Sequence, residues 1–170
     1  TEAGHAKANG NATLAIASLA AMATYLDSSV LFVAFPDITN SFSNATTATL
    51  SWVLNAYTIT FAALLVPAGK LGDRLGPRRA LYVGSAIFTL ASMVCGLAGS
   101  IELLVFARVL QGVGAAVLVP SSLALVLAAF PREKLPQVVA VWGAMGAFSA
   151  ALGPSLGGII VNGLGWRWIF

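Results

Sequence analysis

The chain has 170 residues, of which 58% are hydrophobic and 9% are charged, whereas soluble domains average about 25% charged residues. Nine Lys and Arg against six Asp and Glu give a net charge of +3. So few charges cannot cover a water-exposed surface of this size, which argues against a disordered chain, a nucleic-acid-binding domain and a secreted disulfide-stabilised domain. The composition is that of an integral membrane protein.

Five apolar stretches are long enough to cross a bilayer, since a hydrocarbon core of roughly 30 Å needs about 20 helical residues. The stretches are continuous rather than alternating, which favours helices over strands. We therefore predict an all-α, polytopic transmembrane helix bundle over residues 13–170, preceded by a cytoplasmic tail at 1–12. The predicted spans are, in chain order, 13–35, 49–71, 78–101, 102–130 and 136–164, with the start of a sixth at 166.

The basic residues between the spans are confined to alternate joints. Arg167, after the fifth span, is the one basic residue on the predicted outer side. Cytoplasmic loops of membrane proteins carry an excess of Lys and Arg. The joints on the opposite side contain Asp37 and Glu102 and no basic residue. We therefore predict a cytoplasmic N-terminus in a multi-pass protein of the cell membrane. The basic residues on the predicted cytoplasmic side are Lys7, Lys70, Arg74, Arg78, Arg79, Arg132 and Lys134.

Two charged residues lie deep within the spans, Asp27 in the first and Arg108 in the fourth. The other charged residues of the spans, Lys70, Arg78, Arg79 and Glu102, lie at span ends. At 1.5 Å per residue, Asp27 lies ~13 Å inward from Pro36 and Arg108 lies ~10 Å inward from Ile101. The two charges are thus predicted at similar depth in the outer half of the membrane. Intramembrane charges are costly and usually functional, so we predict a proton-coupling role for this pair. A purely structural ion pair is the alternative.

Polar side chains near these charges suggest an aqueous pathway. Some lie on the same helix face as Asp27 or Arg108, and others form a stripe along the second span. We predict that they line a substrate cavity, although ordinary hydrogen bonding between helices is the alternative for any one of them. These residues are Thr24, Ser28, Asn55, Tyr57, Thr58 and Gln111.

No catalytic or metal-binding constellation is evident. The string Gly153–Gly157 matches the G-x-S-x-G pattern of serine nucleophiles, but no histidine lies in any span to act as the base. The only histidine is His5, and the only cysteine is Cys95, which excludes an internal disulfide and a cysteine-based zinc site. We therefore predict neither an enzyme nor a metal site.

Four motifs in sequence order resemble those of the major facilitator superfamily, and within it the drug:proton antiporter branch with fourteen helices. The joint after the second span resembles the superfamily's cytoplasmic signature G-x-L-a-D-r-x-G-r-[KR], with Pro77 where a basic residue is usual. The matching positions are Gly69, Asp73, Arg74, Gly76 and Arg78. The resemblance implies that Asp73 and its basic neighbours fasten this side to the other half of a transporter.

The other three motifs lie in the spans. Leu104–Ala116 resembles the fourth-helix motif, in which Arg108 would take part in proton coupling. Leu26–Pro36 resembles the first-helix motif of the drug exporters, with Phe32 in place of the usual Asn. The fifth span resembles the antiporter motif g-x-x-x-G-P-x-x-G-G, with Ser149 in place of the first glycine. Its matching positions are Gly153, Pro154, Gly157 and Gly158.

The resemblance implies the N-terminal part of a major facilitator fold that exports drugs or other small molecules in exchange for protons. Such a protein needs no cofactor beyond the proton gradient. Its expected partners are membrane lipid, a lipophilic or cationic small-molecule substrate and the remaining C-terminal helices of its own chain, but no nucleic acid. We expect the chain to be a fragment, because it lacks an initial Met and ends within an apolar run. The alternatives are a permease for a nutrient or metabolite, and a truncated membrane module that does not transport.

Overall fold

The structure, a computed structural model, describes residues 2–170, with side chains described from residue 10 onward. The predictions about the side chains of Lys7 and His5 therefore lie outside the part that is described. Residues 2–170 form helices and contain no strand. The five long helices are α1 (Glu2–Ser41), α2 (Thr47–Leu75), α3 (Pro77–Gly96), α4 (Ile101–Ala129) and α5 (Leu135–Leu164), with two 3-10 helices at Arg132–Lys134 and Trp166–Ile169.

Short connections with local capping separate the helices. The Thr46 hydroxyl accepts a hydrogen bond from the Thr49 amide at 3.2 Å, and Ser100 caps α4 in the same way through the Leu103 amide at 3.3 Å. Such caps satisfy amides that have no partner within the helix. Between α2 and α3 the only linking residue is Gly76, whose φ of 84° favours glycine. Antiparallel neighbours follow from these short connections.

The five helices pack as two groups, one of α1 and α5 and the other of α2, α3 and α4. Helices α2 and α3 pack extensively against α4, and α1 packs extensively against α5. Contact between the groups is mainly between α1 and α4, whereas α4 and α5 touch little. One polar link joins α5 to α4, since the Trp142 indole N–H donates to the Ser122 hydroxyl at 3.1 Å. The interface between α1 and α4 is therefore the main junction between the groups.

Glycines allow close helix contact at two interfaces, the one between α5 and α1 and the one between α4 and α2. A Cβ added at Gly153 in α5 would overlap the Ser29 side chain of α1. A Cβ at Gly112 in α4 would lie 2.8 Å from the carbonyl oxygen of Tyr57 in α2. Small residues let helix backbones approach in a membrane, where van der Waals packing drives association. The glycines of α4 and α5 thus set how closely the neighbouring helices pack.

The outer surface of the bundle is apolar. Tyr82, Leu97 and Ile159 are all more than 70% exposed, and Phe32 is 68% exposed. All five long helices contain a segment long and apolar enough to cross a membrane. Large exposed apolar surfaces are unfavourable in water but expected against lipid or another membrane-embedded element. The described part of the chain is therefore that of a multi-pass membrane protein.

Helices α1 and α2 extend past both predicted ends of their spans, because apolarity marks the membrane core rather than the helix limits. Helix α3, by contrast, ends at Gly96, five residues before the predicted end at 101. Helix α1 continues through Pro36 to Ser41. Helix α2 continues to Leu75, so most of the joint predicted as a loop is helical. The predicted start of a sixth span at Trp166 is a short 3-10 helix, in which the Trp166 indole donates to the Ser41 hydroxyl at 2.9 Å.

Candidate functional site

The two membrane-embedded charges form an ion pair between α1 and α4. Arg108 Nη1 donates to Asp27 Oδ2 at 2.6 Å. The Arg108 side chain is 1% exposed and that of Asp27 is 7% exposed. It is the one ion pair among the side chains from residue 10 onward. The structure thus brings together two residues that are 81 positions apart in the sequence, at the similar depth expected from helical rise.

Gln111 bridges the two charges through both ends of its amide. Its Nε2 donates to Asp27 Oδ1 at 2.7 Å, and its Oε1 accepts from Arg108 Nη1 at 2.6 Å. Gln111 lies one helical turn after Arg108, so both side chains leave α4 on the same face. Both oxygens of the Asp27 carboxylate are therefore engaged. Gln111 is among the residues predicted to line a substrate cavity, whereas in the structure it is fully buried and hydrogen-bonded to both members of the ion pair.

Helix α2 completes the surroundings of the guanidinium group. Arg108 Nε donates to the Val53 carbonyl at 3.2 Å. The guanidinium carbon lies 4.3 Å from the centre of the Tyr57 ring, which is a cation–π distance. The Tyr57 hydroxyl in turn donates to the Thr24 carbonyl of α1 at 3.4 Å. Arg108 is thus held by α1, α2 and its own helix at once.

Cys95 of α3 is a member of this cluster that sequence analysis missed. Its Sγ donates to Gln111 Oε1 at 3.6 Å, and the residue is fully buried. A thiol is a weak donor, yet it adds to the Arg108 contact on the same oxygen and so fixes which end of the amide faces Asp27. No sequence spacing links α3 to α4 at this point, so Cys95 could not be assigned to the cluster from the sequence.

The predicted substrate cavity does not form as a single unit. Thr24 is buried and Ser28 is partly buried, and both hydroxyls donate to carbonyls of their own helix, those of Ala21 and Thr24. Asn55 and Thr58 lie on an exposed face of α2, away from the ion pair. Only Tyr57 of the α2 stripe reaches the Arg108 cluster. The grouping of all six residues around one cavity is therefore not seen in this part of the protein.

The two members of the ion pair differ in their acid–base chemistry. Arg108 stays protonated in proteins, so Asp27 is the member of the pair that can gain and lose a proton. Its carboxylate accepts hydrogen bonds from Arg108 and Gln111 while ionised. A proton on Asp27 would remove the negative charge that compensates the buried guanidinium. A buried charge that has lost its partner is strongly unfavourable, so loss of either charge would destabilise the junction of α1 and α4.

The residues of the cytoplasmic signature lie at the turn from α2 to α3. Gly69, Asp73 and Arg74 belong to the last two turns of α2, Gly76 is the linking residue, and Arg78 is in the first turn of α3. Asp73, Arg74 and Arg78 are exposed and form no ion pair with any described side chain. Their charges are therefore free to meet another element.

The residues of the antiporter motif differ in their environment. Gly153 and Gly157 face α1, where a Cβ at Gly157 would lie 3.0 Å from Val30 Cγ1. A Cβ at Gly158 would meet nothing within 4 Å. Pro154 lies within the continuous α5 helix. Half of the motif therefore holds α5 against α1, and the rest lies away from that interface.

Comparison with known proteins identifies the family. The sequence model of the Major Facilitator Superfamily matches residues 17–170. The chain belongs to the Major Facilitator Superfamily. The resemblance to this superfamily and the prediction of an all-α transmembrane bundle are both confirmed.

Similar proteins include resistance proteins of Streptomyces and Mycobacterium species. The chain is 38% identical over 158 residues to the tetracenomycin C resistance and export protein of Streptomyces glaucescens, covering 93% of this chain and 29% of that protein. It is 41% identical over 157 residues to the methylenomycin A resistance protein of Streptomyces coelicolor, covering 92% and 33%. It is also 41% identical over 159 residues to the multidrug resistance protein Stp of Mycobacterium tuberculosis, covering 93% and 29%. The chain thus spans about a third of the length of these relatives.

A solved superfamily structure has the same arrangement of helices. It is that of a bacterial homolog of the human lysosomal transporter Spinster, in an inward-facing and unoccupied conformation. The TM-score is 0.79 at 19% sequence identity, and the match covers 95% of this chain and 36% of that protein. The likeness supports the fold.

Proposed function

We propose that this chain is the N-terminal part of a proton-coupled exporter of drugs or other small molecules in the cytoplasmic membrane. The observation that carries the proposal is the buried cluster of Asp27, Arg108 and Gln111 at the junction of two helix groups. The name of the similar tetracenomycin C resistance and export protein supports the export direction. The remaining C-terminal helices of the longer chain would supply the other half of the pathway.

In this proposal the proton on Asp27 controls the junction between α1 and α4. When Asp27 is ionised, it compensates Arg108 and holds the two helix groups together. When Asp27 is protonated, Arg108 retains its bonds to Gln111 and the Val53 carbonyl but loses its counter-charge. Helix α5 is closely packed on α1, so the two would move together relative to α2, α3 and α4. Such rearrangement of packed groups is what alternating access requires.

A cationic substrate would compete with this proton. A lipophilic cation that approaches Asp27 favours the ionised carboxylate, because opposite charges stabilise each other in a site of low dielectric constant. Cation binding would then release the proton, and proton binding would release the cation. That exclusion is the thermodynamic basis of antiport. The exposed polar residues of α2, Asn55 and Thr58, would face the pathway only when the other half of the protein is present.

The orientation of the proposed exporter follows from the basic residues. The exposed side chains of Lys70, Arg74, Arg78 and Arg79 all lie at the turn between α2 and α3. The positive-inside rule puts this turn, and therefore the N-terminus, in the cytoplasm. Asp27 then lies in the outer half of the membrane, from which protons driven inward by the gradient would reach it.

The test is proton-driven transport by the full-length protein, the product of the reading frame that contains this chain, in proteoliposomes. Asp27→Asn should abolish accumulation of a lipophilic cation driven by a pH gradient. The matched control is Asp37→Asn, because Asp37 is an exposed acid on the same helix that forms no ion pair, and it should transport normally. Equal gradient-driven transport by wild type and Asp27→Asn would contradict the proposal.

The alternatives predict different results in the same assay. A permease would carry a nutrient or metabolite inward together with protons, and a pH gradient would not drive it to accumulate a lipophilic cation. A truncated module would have a reading frame that ends near Phe170 and would give no flux in either direction. Either result would overturn the export proposal.

A further inference from the structure

A cavity of about 400 Å³ opens where α2 ends, α3 begins and α4 ends. This volume falls within the range of about 300–1,000 Å³ for small-molecule sites. One part of the wall is apolar and includes Leu75, Leu125 and Ala128, and another part carries Arg78 and Arg79. The cavity therefore combines an apolar surface with two cationic groups at the end of the membrane-spanning segments.

The two arginines are not neutralised by the protein around them. Neither Arg78 nor Arg79 forms an ion pair with any side chain from residue 10 onward, and both are exposed. No acidic residue lines this cavity, and the nearby Asp73 lines a separate, smaller cavity of about 130 Å³ on the other side of the turn. Guanidinium groups bind phosphate through paired hydrogen bonds. The charge of the cavity is thus complementary to a phosphate group.

We propose that this cavity binds the phosphate group of an anionic phospholipid, with an acyl chain along Leu75, Leu125 and Ala128. A lipid fits better than a soluble phosphate, because most of the accessible wall is apolar and the neighbouring outer surface of the bundle is apolar as well. Basic pockets between transmembrane helices on the cytoplasmic side are suited to such head groups. The assignment to the cytoplasmic leaflet rests on the proposed orientation, whereas binding itself does not.

Native mass spectrometry of the full-length protein in detergent can test this site. Wild type should retain phosphatidylglycerol in preference to phosphatidylcholine, whose phosphate is neutralised by its own choline. Arg78→Gln and Arg79→Gln should each weaken phosphatidylglycerol binding about fivefold, and the double variant about thirtyfold. The matched control is Arg132→Gln, because Arg132 is an exposed arginine on the same predicted side that does not line the cavity. It should bind phosphatidylglycerol like wild type.

A second variant separates the lipid from a soluble phosphate. Ala128→Phe fills the apolar wall without changing charge, so it should weaken phosphatidylglycerol binding while elution on gel filtration stays normal. Glycerol phosphate at the same concentration should not compete. Competition by glycerol phosphate, or equal binding by wild type and the double arginine variant, would overturn the proposal. Since neither substrate nor a pH gradient is used, such a result would leave the proposed transport function unaffected.

Discussion

The Asp27–Arg108 pair gives the most specific prediction about the energetics of the bundle. The perturbation is a double-mutant cycle with Asp27→Leu, Arg108→Leu and the double variant. Leucine removes charge and hydrogen bonding while keeping an apolar side chain in the gap. The cycle isolates the interaction between the two residues from their separate contributions.

The structure sets the expected magnitudes. Asp27→Leu leaves a guanidinium group that is 1% exposed and cannot lose its proton, so the free energy of unfolding should fall by about 3–5 kcal/mol. Arg108→Leu leaves a carboxylate that can take up a proton, so its cost should be smaller and should shrink as the pH falls. The double variant removes both charges and should lie within about 1 kcal/mol of wild type. The resulting coupling energy is at least about 2 kcal/mol.

The assay is equilibrium unfolding of the full-length protein by SDS in mixed micelles, followed by far-ultraviolet circular dichroism. Asp37→Asn is the control for a change of charge on α1 outside the pair. If the two single costs add up in the double variant to within about 0.5 kcal/mol, the residues act independently. That result would refute the argument that the pair holds α1 and α4 together.

Two further predictions concern packing and the thiol. Gly153→Ala should lower the free energy of unfolding by about 1–3 kcal/mol through overlap with Ser29. Gly143→Ala in the same helix has open space at Cβ and should raise the free energy of unfolding by about 0.5–1 kcal/mol. Similar effects of both variants in the SDS titration would contradict the α1–α5 packing. Cys95→Ala should cost about 0.5–1.5 kcal/mol by removing the donor to Gln111, and Cys95→Ser, which keeps a donor, should cost less; equal loss in both variants would contradict a hydrogen-bonding role.

The presence of the ion pair could be predicted from the sequence because helical rise converts residue number into depth. Counting back from Pro36 to Asp27 and forward from Ile101 to Arg108 gives similar depths in the membrane. The structure brings the two residues into contact. Charges in a bilayer core need partners, so two charges at one depth leave few other arrangements. The all-α bundle followed from the same property of long apolar runs.

The composition of the site around the pair could not be predicted, because tertiary packing decides which helix face turns inward. Tyr57 faces Arg108 while Asn55 and Thr58 are exposed, although all three lie on polar positions of α2. The close contact of Gly112 with the Tyr57 backbone sets that rotation. A single sequence contains no information on this contact between helices.

The local structure of the cytoplasmic signature differs from the predicted span ends for another reason. The predicted spans place Asp73 and Arg74 in the joint between 71 and 78, yet both residues remain in α2. Helix propagation needs only that each residue add a backbone hydrogen bond, and polar residues at a membrane surface do not prevent that. The φ of 84° at Gly76 and the Pro77 that opens α3 are sufficient to reverse the chain.

The central claim is that Asp27 carries the proton that is exchanged for substrate. The most direct measurement is proton release from the purified full-length protein in weakly buffered detergent when a lipophilic cation is added. Wild type and Asp37→Asn should release protons in proportion to bound cation, and Asp27→Asn should bind the cation, if at all, without release. Equal release from Asp27→Asn and wild type would show that another group carries the proton and would contradict the account.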